Sequence, residues 1–81
     1  MKDIEILMKD GCTKAEAEKH LKRGTTIFTD FEENFDSYMQ EWGINTEDQA
    51  EYKEMIETKK PMPDWGIVED ASKIYYIQYC L

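Results

Sequence analysis

The apolar positions of this chain change their period partway along it, and the change separates a helical part from a β part. Ile4, Leu7 and Met8 stand at helical spacing, Asp10-Gly11 interrupts them, and Ala15, Ala17 and Leu21 resume the pattern. Thr13 and Glu16 form a capping box before the second run: the hydroxyl takes the amide three residues on, and the carboxylate returns to the threonine amide. Lys22 and Arg23 suit the negative end of a helix dipole, and Gly24 can take the left-handed conformation that ends a helix. Residues 25–28 are β-branched and aromatic, fit for an extended link or a small edge strand.

Asp30 then reads as an N-cap, with Glu33 at the third helical position. Phe31, Phe35, Tyr38, Met39 and Trp42 follow within roughly 100° of arc on a helical wheel. Gly43 stops that helix. Thr46 and Gln49 make a second capping box, opening a helix to about Lys59 whose narrow apolar face is Tyr52, Met55 and Ile56. Pro61 and Pro63 end the helical region, because proline lacks the amide hydrogen and disfavours a helical residue before it. Residues 65–68 and 74–81 are β in character, and residues 69–73 read as the connection of a hairpin. The last strand is apolar on both alternating faces, so one face should pack on the helices and the other be partly covered. The expected fold is α+β: a single small domain, residues 1–81, of about four helices followed by a C-terminal β-hairpin, with residues 25–28 available as a third strand. Most of its core should come from Phe28, Phe31, Phe35, Tyr38, Met39, Trp42, Tyr52, Met55, Ile56, Trp65, Ile67, Ile74 and Ile77.

Charge sharpens this picture. Residues 25–58 hold ten acids against the single base Lys53, a net −9, while the whole chain carries −8. Asp30, Glu32, Glu33, Asp36, Glu41, Glu47, Asp48, Glu51, Glu54 and Glu57 are therefore the candidate binding residues of one acidic surface that dominates the long-range field. With 41% hydrophobic residues the chain can bury a core despite 35% charged ones, so a folded domain is expected and not disorder. No apolar run approaches the roughly 20 residues that span a bilayer. A soluble, cytoplasmic protein without a membrane partner is the expectation. Direct binding to a phosphate backbone would require clustered bases, which the acidic segment opposes. For the same reason a helix-turn-helix DNA contact through Lys14, Lys19, Lys22 and Arg23 is disfavoured.

Catalytic machinery is hard to assemble from these residues. His20 is the only histidine, and along a helix it stands roughly 12 Å of axial rise from Cys12, too far for a nucleophile pair. Cys12, His20 and Cys80 have no zinc-ligand spacing, and two free thiols are expected in place of a bridge. The four glycines are isolated at element boundaries, so no phosphate-cradling loop exists. The sequence points to a noncatalytic binding protein without cofactor or metal, whose partner is a basic surface of another protein. Helix-borne carboxylates recur about every 5–6 Å against about 3.4 Å of rise per nucleotide, which suits a nucleic-acid mimic once groove curvature is allowed. A homodimer through a β edge is a further arrangement open to such a chain.

Three stretches carry a resemblance across nearly the whole chain: E-x-L-M-x-x-G-C-x-x-x-x-A-E at 5–18, G-T-T-I-F-T-D-F-E-E-N-F at 24–35, and P-D-W-G-I-V with Y-Y-I-Q-Y-C-L at 63–68 and 75–81. Together they resemble small acidic proteins, without assigned activity, carried on bacterial conjugative elements and prophages. The resemblance implies a mobile-element accessory protein, a class that includes anti-CRISPR and antirestriction inhibitors. Residues 4–24 also resemble the first two helices of a ubiquitin-associated type domain. That likeness implies the alternative of a small helical adaptor, with Met8, Gly11 and Cys12 as contact positions.

Overall fold

A strand that is apolar on both alternating faces needs cover on both, and the fold supplies it. The computed structural model describes residues 1–80, with helices α1 (Asp3–Lys9), α2 (Lys14–Arg23), α3 (Phe35–Glu41) and α4 (Thr46–Thr58) and strands β1 (Thr26–Phe28), β2 (Trp65–Asp70) and β3 (Lys73–Gln78). The strands form one antiparallel sheet in the order β1-β3-β2, so residues 26–28 do become a third strand and the C-terminal strand takes the centre. Thr26, Ile27 and Phe28 pair with Gln78, Ile77 and Tyr76, while Trp65 to Asp70 pair in register with Gln78 to Lys73. The Thr25 hydroxyl accepts the Cys80 amide at 3.0 Å, extending the β1 side by one contact.

Side chains alternate across this sheet and build two separate cores. On one face Ile6 and Leu7 of α1 and Ala17 of α2 pack on Val68, Tyr75 and Ile77. On the other, Phe31, Phe35, Met39 and Met55 pack on Trp65 and Tyr76. Every core residue expected from the sequence except Ile77 belongs to the second cluster or its margin. Of the first cluster, helical spacing marks Leu7 and Ala17, with Ile4 and Leu21 at its margin, but α1 has only seven residues, too few for a stripe that reveals Ile6. Its buried residues are the adjacent Ile6 and Leu7, while Met8, expected on the apolar side, is 44% exposed.

Several boundaries differ from the sequence reading for local reasons. The Thr13 and Glu16 box and the left-handed Gly24 are both present. Asp30, however, does not cap α3: its carboxylate accepts the Asn34 amide group at 2.9 Å and the Tyr38 hydroxyl at 2.7 Å, and residues 31–34 form turns before the helix starts at Phe35. The N-cap of α4 is Asn45 and not Thr46, its side chain accepting the Asp48 amide at 2.9 Å, while the expected box residue Gln49 donates to the Ile44 carbonyl. Glu69 and Asp70 lie in β2, not in the connection, because Ala71 takes a positive φ of 55° and closes the hairpin with Ser72 alone. The final strand ends at Gln78; Leu81 lies outside the described residues.

Candidate functional site: the acidic face of α3 and α4

The buried stripes of α3 and α4 dictate where the acids go. With Phe35, Met39 and Met55 committed to the sheet, the polar positions of both helices turn outward. Glu33, Asp36, Glu41, Glu47, Asp48, Glu51, Glu54 and Glu57 are all exposed, and none pairs with a cation among the described residues. The two remaining candidates are engaged in holding the fold. Asp30 is half-buried and anchors Asn34 and Tyr38; Glu32 accepts the Lys59 ammonium at 2.8 Å. The sequence grouped all ten together because charge alone does not show which carboxylate meets a donor after folding.

Half-buried aromatic rings lie between the carboxylates and the core. Tyr38, Trp42 and Tyr52 flank Phe28 and Phe31, with ring centroids of Tyr38 and Trp42 5.3 Å apart and of Trp42 and Tyr52 6.4 Å apart. Burial raises the Tyr52 phenol above its ordinary value, and the charges of Asp48 and Glu51 push it further. The Tyr38 phenol is raised chiefly by its hydrogen bond to Asp30, then by desolvation and by the charges of Asp30 and Glu41. Acids and half-buried rings therefore occupy one surface, an arrangement that suits guanidinium and ammonium groups through ion pairing.

Two concavities open on this side. One, of about 520 Å³, runs between Glu51, Glu54, Met55 and Thr58 of α4 and the strap formed by residues 60–63. The other, of about 360 Å³, lies where Thr29, Glu32 and Glu33 approach Ser72, Lys73 and Ile74 at the hairpin tip. The outer sheet edges belong to β1 and β2, since both edges of β3 are occupied.

The opposite face holds a polar cluster that sequence spacing did not reveal. The Tyr79 hydroxyl donates to Asp10 and lies 3.8 Å from the Cys12 sulfur, while His20 meets the Tyr79 ring edge-on with centroids 4.9 Å apart. Tyr79 thus links Cys12 and His20, which the length of α2 had separated on paper. Burial first, then the bond to Asp10, lifts the Tyr79 phenol well above its ordinary range, so it stays protonated as a donor. His20 Nδ1 is buried without a partner among the described residues. Cys12 and Cys80 are both free thiols, Cys12 half-buried and Cys80 exposed. Among the described residues no group of three or more His, Cys, Asp and Glu is placed to hold a metal ion, and no helix is long and apolar enough to cross a membrane. Of the adaptor positions, Met8 and Gly11 are exposed and Cys12 packs against the core. Across the sheet from α1 and α2, α3 does not stand as the third helix of a ubiquitin-associated unit.

No family model, no curated protein and no solved structure matches this chain.

Proposed function

We propose that this protein is a noncatalytic, cytoplasmic binding protein that presents α3 and α4 to a basic surface of another protein. Its acids stand in for a nucleic-acid backbone, and the partner class is a nucleic-acid-handling or defence protein, as for anti-CRISPR and antirestriction inhibitors. One observation carries this reading: Glu47 and Asp48 lie in the favourable first turn of α4, but from Glu51 onward its acids are placed where they cost stability. Glu47, Glu51 and Glu54 follow one another at spacings of four and three, where like charges destabilise a helix by a few tenths of a kcal/mol per pair. Glu57 sits in the last turn of α4, against the negative end of the dipole, and that turn contains no base. Solubility needs charge but not this placement, whereas attraction of a basic groove favours it.

The test is capture from nuclease-treated bacterial lysate with wild-type protein and with the E47Q/E51Q/E54Q/E57Q variant. The expected result is a basic, nucleic-acid-handling protein retained at low salt, released at high salt, displaced by added DNA and lost with the variant. A partner held equally by both proteins and indifferent to salt overturns the reading. The exposed side chain of Met8, at 44%, favours one alternative, an adaptor acting through residues 4–24. A salt-resistant partner lost with Met8→Glu is the outcome that selects it.

A further inference from the structure

The larger groove on the acidic side differs from the rest of that face because the strap along it is apolar. Met55 is buried at its base, Met62 is half-buried, and Pro61 and Pro63 contribute rings along the strap, while Glu51 and Glu54 stand exposed on the opposite rim one helical turn apart. Lys60 also lines it, leaving a net −1 among these side chains. An aliphatic wall facing two carboxylates matches a side chain with a long apolar stem and a cationic, flat, weakly hydrated head. We infer that this groove seats an arginine side chain projecting from the basic partner, with its stem on Met62 and the Pro61 and Pro63 rings and its guanidinium between Glu51 and Glu54. The inference rests on the acidic-face reading above and gives that face an anchor point. Arginine is preferred to lysine there, because an ammonium keeps its hydration more tightly and cannot bridge two carboxylates with a planar fork. Lys60 opposes the incoming charge, so its removal strengthens binding.

Methyl and amide NMR of the intact protein tests this, with blocked Gly-Arg-Gly as the probe and Gly-Lys-Gly and Gly-citrulline-Gly as comparisons. Gly-Arg-Gly is expected to shift the Met62 methyl and Thr58 amide signals saturably, with Gly-Lys-Gly weaker and the citrulline peptide inert. E51Q/E54Q should weaken the response about tenfold or more, and K60Q should tighten it. Unmoved Met62 and Thr58 signals, or an equal response to the lysine peptide, overturn the arginine assignment. The two readings fail separately: if a salt-sensitive, DNA-displaced basic partner is still captured by E51Q/E54Q while Met62 ignores the peptide, the groove is excluded and the acidic face stands.

Discussion

Lys59 reaches Glu32 at 2.8 Å from a left-handed backbone position just beyond α4, where φ is 57°. The same ammonium donates to the Ile56 carbonyl at 2.7 Å and lies 3.4 Å from the Tyr76 hydroxyl, so one side chain ties α4, the turn before α3 and the central strand together. A side chain in that conformation costs about 1–2 kcal/mol relative to glycine. Lys59→Gly and Lys59→Ala both lose the ammonium, but only glycine relieves the backbone. Urea unfolding should therefore place the glycine variant about 1 kcal/mol above the alanine variant. Glu32→Gln should cost less than about 1 kcal/mol, because both partners are 35% exposed and water screens the pair.

Gly66 faces the Asp10 carboxylate and the Tyr79 ring across the α1 side of the sheet. A Cβ there would come within 2.9 Å of the Asp10 carboxyl carbon and 3.0 Å of Tyr79 Cε2, so the requirement is close approach and not an unusual φ. Gly66→Ala is expected to lower stability by about 1–3 kcal/mol, read from the thermal midpoint. Unchanged stability would show that the Asp10 and Tyr79 side chains retreat without cost.

Asp30 and Asp36 are alike in sequence and unlike in role. Asp30→Ala removes the acceptor of both Asn34 and Tyr38 and should cost about 1–3 kcal/mol, whereas Asp36, exposed in the first turn of α3, should change stability by less than about 1 kcal/mol. Chemical denaturation of the two variants side by side checks this. The partner capture should weaken with Asp36→Ala, because that acid lies on the exposed face.

At high pH the fold should weaken through groups that it keeps protonated. Tyr79 is raised above its ordinary 10.0 by burial and by Asp10, Tyr76 by burial, and Lys59 chiefly by Glu32. Each binds its proton more tightly in the folded state, so its contribution is complete below about pH 10 and is lost as pH rises beyond that. Stability measured from pH 8 upward should therefore be insensitive to these groups until about pH 10 and then fall. Tyr79→Phe should begin about 1–2 kcal/mol lower at neutral pH and decline less steeply in alkali. An unchanged alkaline slope would remove Tyr79 from the account.

What the sequence determined by itself is what depends on near neighbours: the Thr13 box, the stop at Gly24, the apolar stripe from Phe35 to Trp42, the hairpin, and a net −9 over residues 25–58. These follow from local hydrogen bonds, side-chain period and composition, so a linear reading reaches them. Tertiary structure decided which strand is central, because Ile27 meets Ile77 across 50 positions, and it decided that helices cover both faces of that strand, so that Tyr75 and Tyr76 bury on opposite sides. It likewise decided that Ile6 and Leu7 form a second core, that Tyr79 gathers Asp10, Cys12 and His20, and that Asp30 and Glu32 hold the fold while eight other acids face outward. A carboxylate's role is set by the donor it meets, and Tyr38 and Lys59 meet theirs only after the chain has closed on the sheet.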